Sequence, residues 1–207
     1  MAKCLNWKWA LPALGILSIG LWAFILACKG VPLETNWDAL KEIPAALGWL
    51  TPVAFWFSTR GWRWKIFQNW LVLIPDLNGT WKGTLQTTWK NPKTGEVPGP
   101  IDAFLVIHQT LFRVSCLQMT KESKSWSRSA AVNMDADNQL KILDFVYSNK
   151  PRVSVHERST DHDGACSLEI LDGANRKIKG KYWTDRNTKG EMDFTFHDKN
   201  PRPEFEE

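Results

Sequence analysis

Charge is missing from two long stretches of this 207-residue chain, and nothing else in it limits the answer as much. No Asp, Glu, Lys or Arg falls between Lys8 and Lys29, and none between Glu42 and Arg60. Cysteine is scarce, four in all, and no two stand as Cys-x-x-Cys, so zinc-ribbon and dithiol redox chemistry have no motif to rest on. There is no Gly-x-Ser-x-Gly elbow, no Gly-x-x-x-x-Gly-Lys loop and no His-Glu-x-x-His. The usual signatures of nucleophilic, phosphate-cradling and zinc hydrolases are therefore absent; a triad or carboxylate dyad assembled only in space stays open. The chain reads as a non-enzyme that needs no cofactor. A charge excess is lacking as well where it would matter for nucleic acid. The overall +4 comes entirely from residues 1–74, with seven Lys/Arg against three Asp/Glu, while residues 75–207 hold nineteen of each. A neutral half with interspersed signs excludes the electrostatic footprint of a DNA- or RNA-coating protein.

What the uncharged stretches do contain is apolar residues. A helix needs about 20 of them to cross a bilayer; residues 10–28 meet that length, and residues 43–59, with Pro44 and Pro52, form a shorter second candidate. Trp62 and Trp64, interleaved with Arg60, Arg63 and Lys65, suit the aromatic and basic belt at a membrane surface. Lys3 and Lys8 precede the first stretch and the three cations follow the second, whereas the intervening loop is acidic on balance. The positive-inside rule then puts both ends, and whatever follows, on the cytoplasmic side. A buried or re-entrant hairpin is the bland alternative for the second stretch. Ile25-Leu26-Ala27-Cys28 faintly resembles a lipoprotein cleavage box, which would place the remainder outside; the Leu before Ala27 fits poorly, and the second apolar stretch would be unexplained.

From Asp76 onward no helical period is evident, and the pattern shifts to period two. Strands are expected near residues 80–89, 102–120 (bent), 124–133, 139–148, 153–158, 164–171, 176–185 and 190–197, separated by Asn-, Asp-, Gly- and Pro-rich turns such as Asn91-Pro92, Asp135-Ala136, Asp172-Gly173-Ala174-Asn175 and Asn187-Thr188. Eight short antiparallel strands suggest an up-and-down, lipocalin-like barrel able to enclose one small ligand. The expected organisation is thus membrane-anchored all-β: a two-span transmembrane anchor (1–74), a β-barrel (75–199) and a disordered tail (200–207). Cys116 and Cys166, the only cysteines of the second half, read as two buried thiols, with a disulfide open if the domain faces an oxidising compartment.

Particular motifs sharpen this. Asp76-Leu77-Asn78-Gly79-Thr80-Trp81 places a Gly-x-Trp at a first strand, as in lipocalin- and avidin-type barrels, where the indole plugs one end; Arg186 is the expected cation–π partner of Trp81. Further on come Gln109-Thr110, the alternating Ser123, Ser125, Ser127 and Ser129, Tyr147-x-Asn149-x-Pro151, His162-x-Gly164, and Tyr182-x-Thr184-x-Arg186-x-Thr188-x-Gly190. Taken in order with the two apolar stretches, this set resembles the two-transmembrane, β-strand-rich effectors of bacterial CBASS anti-phage systems, the CD-NTase-associated protein 15 family. The chain departs from that pattern at Leu111-Phe112, where a Trp is expected, and at Phe145, where a first Tyr is expected. The resemblance implies a receptor for a cyclic dinucleotide made by a cognate CD-NTase. It further implies self-association into oligomers and disruption of the bacterial inner (cell) membrane, so the lipid bilayer would be a partner and no DNA or RNA polymer would be.

A ligand with two phosphates and two stackable bases calls for amide and hydroxyl donors, a cation and flat side chains. The candidate ligand-binding residues are Gln109, Thr120, Ser123, Ser125, Ser127, Tyr147, Asn149, His162, Tyr182, Thr184 and Arg186. Some have a plain structural reading beside the functional one: the serines as a solvated strand face, His162 as part of an Asp-His-Asp-Gly turn, Arg186 as the cover of Trp81. No second cluster supports a metal at Asp161-His162-Asp163. The rival function is a membrane-tethered, lipocalin-like carrier of an apolar molecule, which would turn Leu, Val and Phe inward instead. Period two tells which side chains share a face, not which face points inward.

Overall fold

A computed structural model describes residues 4–34, 36–91, 94–135, 137–171, 173, 176–202 and 204–205. Lys3, the turn residues Pro92, Ala136, Asp172, Ala174 and Asn175, and Pro203, Glu206 and Glu207 of the tail lie outside them. The chain divides into two compact units, Asp76–Gln109 with Arg113–Glu207, and Lys3–Pro75 with Thr110–Phe112.

The first unit is a closed barrel of eight strands in chain order. They are β1 (Gly79–Thr87), β2 (Ile101–Gln109), β3 (Val114–Thr120), β4 (Ser123–Asp135), β5 (Leu140–Pro151), β6 (His162–Leu171), β7 (Lys177–Thr184) and β8 (Lys189–Asp198). Each pairs antiparallel with the next, and β8 returns to β1, so no edge is left open. The expected count of eight is right although two of its strands are not. The run 102–120 is not one bent strand: residues 110–112 leave the ladder, and the Leu111 amide donates to the Ser58 carbonyl at 2.9 Å, both within the second unit. Residues 153–158 are not a strand either. Beyond Pro151 the chain makes a 3-10 turn, Val153–Val155, with the Val155 amide bonded to the Arg152 carbonyl at 3.0 Å.

Pairing register decides the faces. Trp81, Gly83, Leu85 and Thr87 of β1 face inward, opposite Phe196, Phe194, Met192 and Gly190 of β8. Trp81 is 1% exposed, its Nε1–H donates to the Leu77 carbonyl at 3.0 Å, and Phe196 meets it edge-on at 5.3 Å. The cation over this pair is Arg176, 5.1 Å from the Trp81 ring and 4.4 Å from Phe196. The expected partner, Arg186, is a correction. It follows β7 whereas Arg176 precedes it, and eight extended residues, about 26 Å, put Arg186 at the other end of the barrel. Inward glycines let the backbone close up. A Cβ on Gly83 would lie 1.9 Å from the Asp193 carbonyl, and one on Gly180 would lie 2.1 Å from that of Ser167.

The tail from Asn200 was expected to be disordered; its described residues instead lie along the outside of the barrel. The Thr80 hydroxyl donates to the Asn200 carbonyl at 2.7 Å and accepts from the Arg202 amide at 3.2 Å. Phe205 packs on Phe104, Val106 and Met119. The unbroken apolar run Ala103-Phe104-Leu105-Val106-Ile107 carried the signal, because a strand apolar on both faces is covered on both.

The second unit is helical: α1 (Trp7–Lys29), the single turn α2 (Trp37–Leu40) and α3 (Ile43–Thr59). Gly30, in the left-handed region at φ 65°, ends α1. The Lys29 ammonium meets the Glu42 carboxylate at 2.7 Å, and the Trp22 indole N–H donates to the Ala39 carbonyl at 2.8 Å, which together pin the connection. At the opposite end, the Asn6 amide donates to the Leu71 carbonyl and the Leu73 amide to the Cys4 carbonyl, both at 2.9 Å. Of the two membrane spans expected, one helix among the described residues, α1, is long and apolar enough. Its 23 residues reach about 35 Å, whereas the 17 of α3 reach about 26 Å, against a hydrocarbon core of about 30 Å.

Because the Gly83 contact is with backbone that cannot swing away, Gly83→Ala is expected to cost about 2 kcal/mol or more. Thr84→Ala, on the outward side of the same strand, is expected to stay within about 0.5 kcal/mol. Denaturant unfolding of the two full-length variants against wild type checks this, and equal stabilities would show that β1 and β8 do not approach so closely.

Candidate functional site

At the end of the barrel away from Trp81 a cavity of about 670 Å³ opens between the strands, within the range of about 300–1,000 Å³ usual for small-molecule sites. Its walls are inward residues at one level of seven strands: Leu85 and Thr87 on β1, Ala103 on β2, Gln118 and Thr120 on β3, Ser125 on β4, Tyr147 and Asn149 on β5, His162 on β6, and Tyr182 and Thr184 on β7. Register explains the convergence. Ser125 is opposite Gln118 and Asn149, Asn149 is opposite His162, and Tyr182 is opposite Cys166 and Gly190. The inward direction that period two left open is thereby settled, and it is the Ser, Tyr and Asn face that points in.

Nine of the eleven candidate residues line this cavity: Thr120, Ser123, Ser125, Tyr147, Asn149, His162, Tyr182, Thr184 and Arg186. The other two do not. Gln109 is at the closed end, its Oε1 accepting from the Leu77 amide at 2.8 Å and its own amide donating to Asn78 Oδ1 at 2.8 Å. Ser127 faces inward deeper down, where its Oγ accepts from the Cys116 amide at 2.9 Å. Several of the nine also build hairpin turns. Thr120 Oγ1 accepts from the Ser123 amide at 3.1 Å, and the Thr184 and Thr188 hydroxyls lie 2.6 Å apart.

The two tyrosines are set by glycines across the ladder. Tyr147 lies over Gly164, where an added Cβ would come within 2.5 Å of the phenol oxygen, and Tyr182 lies over Gly190 at 2.6 Å. Both rings are thus held along the wall as flat surfaces. Burial raises both phenols above the ordinary tyrosine value, and for Tyr182 a hydrogen bond with Thr87 opposes the rise; both are neutral donors at pH 7. The Ser125 hydroxyl donates to Asn149 Oδ1 at 2.7 Å, and the Asn149 amide nitrogen lies 3.4 Å from His162 Nδ1. His162 Nδ1 lies 2.9 Å from the Thr160 carbonyl, so it carries the proton and Nε2 is the acceptor. Burial lowers the His162 pKa, and the nearby Arg186 guanidinium lowers it further. Arg186 stands exposed at the mouth, donating to Ser159 Oγ at 3.3 Å, while Arg158 on the same rim is paired with Glu122. Cys116 and Cys166 are free and buried, and burial pushes the Cys116 thiol up to about 12. Among the described residues no three His, Cys, Asp or Glu side chains converge as a metal site.

Gln118 and Thr87 escaped the sequence reading, and Thr188, though part of a quoted motif, is not among its candidate ligand-binding residues. For Gln118 the signal was present, since it is two residues from Thr120 and so shares its face. Over the rim the cavity extends to Lys82, Phe104 and the tail residue Phe205. A second concavity of about 610 Å³ lies on the outer surface of β5 to β8 and β1, where Glu169, Lys179, Lys181, Glu191 and Asp193 alternate in sign and Lys179 pairs with Asp193 at 2.7 Å. It has no aromatic wall and no inward register, and does not suit a planar ligand. What the mouth offers is different: two tyrosine rings, amide and hydroxyl donors and the Arg186 guanidinium around a half-open volume, which is chemistry for a polar, partly aromatic, anionic molecule.

Comparison with known proteins bears on the same region. The family model described as Cap15, cyclic dinucleotide receptor domain, matches residues 72–195, from just before β1 to within β8. A relative from Escherichia albertii, CD-NTase-associated protein 15, is 23% identical over 175 residues, covering 83% of this chain and 82% of that protein.

A histidine held below its ordinary pKa binds fewer protons folded than unfolded. Its contribution to stability is therefore complete above about pH 6.5 and is lost as pH falls through that value toward the depressed one. The His162 ring is expected to titrate below pH 6.5 by NMR. Melting temperatures of wild type and His162→Gln should draw together between pH 7.5 and pH 5, and parallel curves would mean that the imidazole is solvated like a free one.

Proposed function

Because the chain belongs to the family of Cap15 cyclic dinucleotide receptor domains, we propose that its barrel binds a cyclic dinucleotide, as the effector of a CBASS anti-phage system. The convergence of Tyr147, Tyr182, Asn149, His162 and Arg186 on one cavity carries this reading. The bases stack on the two tyrosine rings, an interaction worth about 1–3 kcal/mol per base. Arg186 meets a phosphate at the mouth in a charge-assisted bond, and Asn149 and the tyrosine hydroxyls donate to phosphate or ribose. Neutral phenols serve this better than phenolates, which would repel the anion. Nothing in the scheme requires a reaction, so the protein acts as a receptor and not as an enzyme. A carrier of apolar molecules is disfavoured by the polar mouth.

The helical unit supports the output. Residues 4–6 hydrogen-bond to residues 71–73, so the start of α1 and the segment after α3 lie together, with Trp9 against Trp70 at 6.4 Å. In sequence, Lys8 stands beside Trp9, and Arg60, Arg63 and Lys65 interleave with Trp62 and Trp64, the composition of a cytoplasmic membrane boundary. We place both termini and the barrel on the cytoplasmic side of the bacterial inner membrane, with α1 and α3 as a two-span anchor. The shorter α3 is matched by local thinning or by association of anchors. Ligand favours self-association only through higher affinity for the assembled state, and the assembled anchors disrupt the membrane and kill the infected cell.

Calorimetric titration of the full-length chain in detergent, with cyclic di- and trinucleotides and a fatty acid as comparison, tests this. Tight binding to a cyclic dinucleotide is expected, weakened at least about tenfold by Tyr182→Ala and by Arg186→Ala, with an increase in particle size on ligand addition. Binding of the fatty acid and of no cyclic nucleotide would establish the carrier instead.

A further inference from the structure

Gln118 has an unmet hydrogen-bonding need. It faces inward on β3, opposite Leu105 on β2 and Ser125 on β4, and is 7% exposed. Its Oε1 is buried with no hydrogen-bond partner among the described residues, although the side chain lines the cavity. The neighbour that could have donated does not, because the Ser125 hydroxyl is turned to Asn149 Oδ1 at 2.7 Å. A polar atom buried without a partner destabilises the empty barrel. A Leu would fill the same space without that cost, so packing alone does not account for a Gln here.

The chemistry of the missing partner follows from what Gln118 carries. A carboxamide sets an acceptor beside a donor and so matches an edge that offers a donor beside an acceptor. Nucleobase edges do so, as in the bidentate pairing of Gln with adenine. A phosphate offers acceptors only and leaves Oε1 unsatisfied. On the reading that the barrel binds a cyclic dinucleotide, we infer that Gln118 is a specificity-determining residue: its carboxamide pairs with the edge of one nucleobase, Oε1 accepting from a ring or exocyclic N–H. Tyr147 and Tyr182 supply stacking that every base satisfies, and Gln118 supplies the discrimination that stacking lacks. The empty state is left with an orphan acceptor that only a ligand of the right edge relieves.

The test uses full-length wild type, Gln118→Leu and Gln118→Glu in detergent, titrated with cyclic di-AMP, cyclic di-GMP and the mixed cyclic AMP–GMP, with the melting temperature of each ligand-free protein recorded. Gln118→Leu is expected to melt as high as wild type or about 2–6 °C higher, and to bind the preferred nucleotide about tenfold to a hundredfold more weakly. Gln118→Glu accepts only, so it should shift the affinity ratio at least about tenfold toward guanine, whose N1–H and N2–H₂ both donate. If Gln118→Leu melts lower and binds as wild type, Gln118 is a packing residue and the inference is wrong. It is equally wrong if Gln118→Glu weakens every nucleotide by one factor, because an effect blind to the base is not base reading. A wild-type chain that binds none of the three overturns the receptor reading itself, which separates that failure from this one.

Discussion

The ladder between β1 and β8 is the constraint on which the barrel depends. Once Trp81 stands opposite Phe196 and Thr87 opposite Gly190, every later strand is held in register by its neighbour. The inward set is then fixed around the whole circumference. Closure also requires close backbone approach, which the side-chain-free positions Gly83 and Gly180 permit. One end fills with Trp81, Leu77 and Phe196 under the Arg176 guanidinium. The other is left to smaller and more polar residues, so plug and cavity are two ends of one packing solution.

The cavity end is built against its own stability. Gln118, Ser125, Asn149 and Thr184 are buried polar residues, and such groups are costly unless their bonds are complete. Ser125 and Asn149 satisfy each other, and Thr184 is bonded to Thr188. Gln118 Oε1 is the exception. Polar residues with incomplete bonding are tolerated where a ligand completes them, since binding to the folded state alone returns stability through mass action.

The helical unit follows a different logic. Its apolar side chains face outward, Ile16 at 73% exposure and Phe24 at 65%, an arrangement that water penalises and a lipid phase does not. Its polar contacts concentrate at the two ends of the hairpin, Lys29 with Glu42 at one and the residue 4–6 to 71–73 pairing at the other. The stretch between them needs no polar partner beyond its own helical bonds.

Local chemistry made much of this legible in advance. The uncharged runs specify helices, because an apolar stretch withdrawn from water must bond its backbone to itself. Period-two alternation punctuated by Asn, Asp and Gly specifies antiparallel strands, and Gly79-x-Trp81 specifies the plug. Misreadings arose where a distant residue decides the outcome. The break at residues 110–112 is made with Ser58, and the guanidinium on Trp81 comes from Arg176, ninety-five positions along the chain and absent from any motif. The tail is held by Thr80 and Phe104. The candidate site divides the same way. That Ser123 and Ser125, or Tyr182 and Thr184, share a face was determined by the sequence, since side chains alternate along any strand. That those faces point inward, that Gln109 belongs to the closed end, and that Gln118 stands unpartnered among them, was decided only by the tertiary structure, because register is a relation between strands and no single strand contains it.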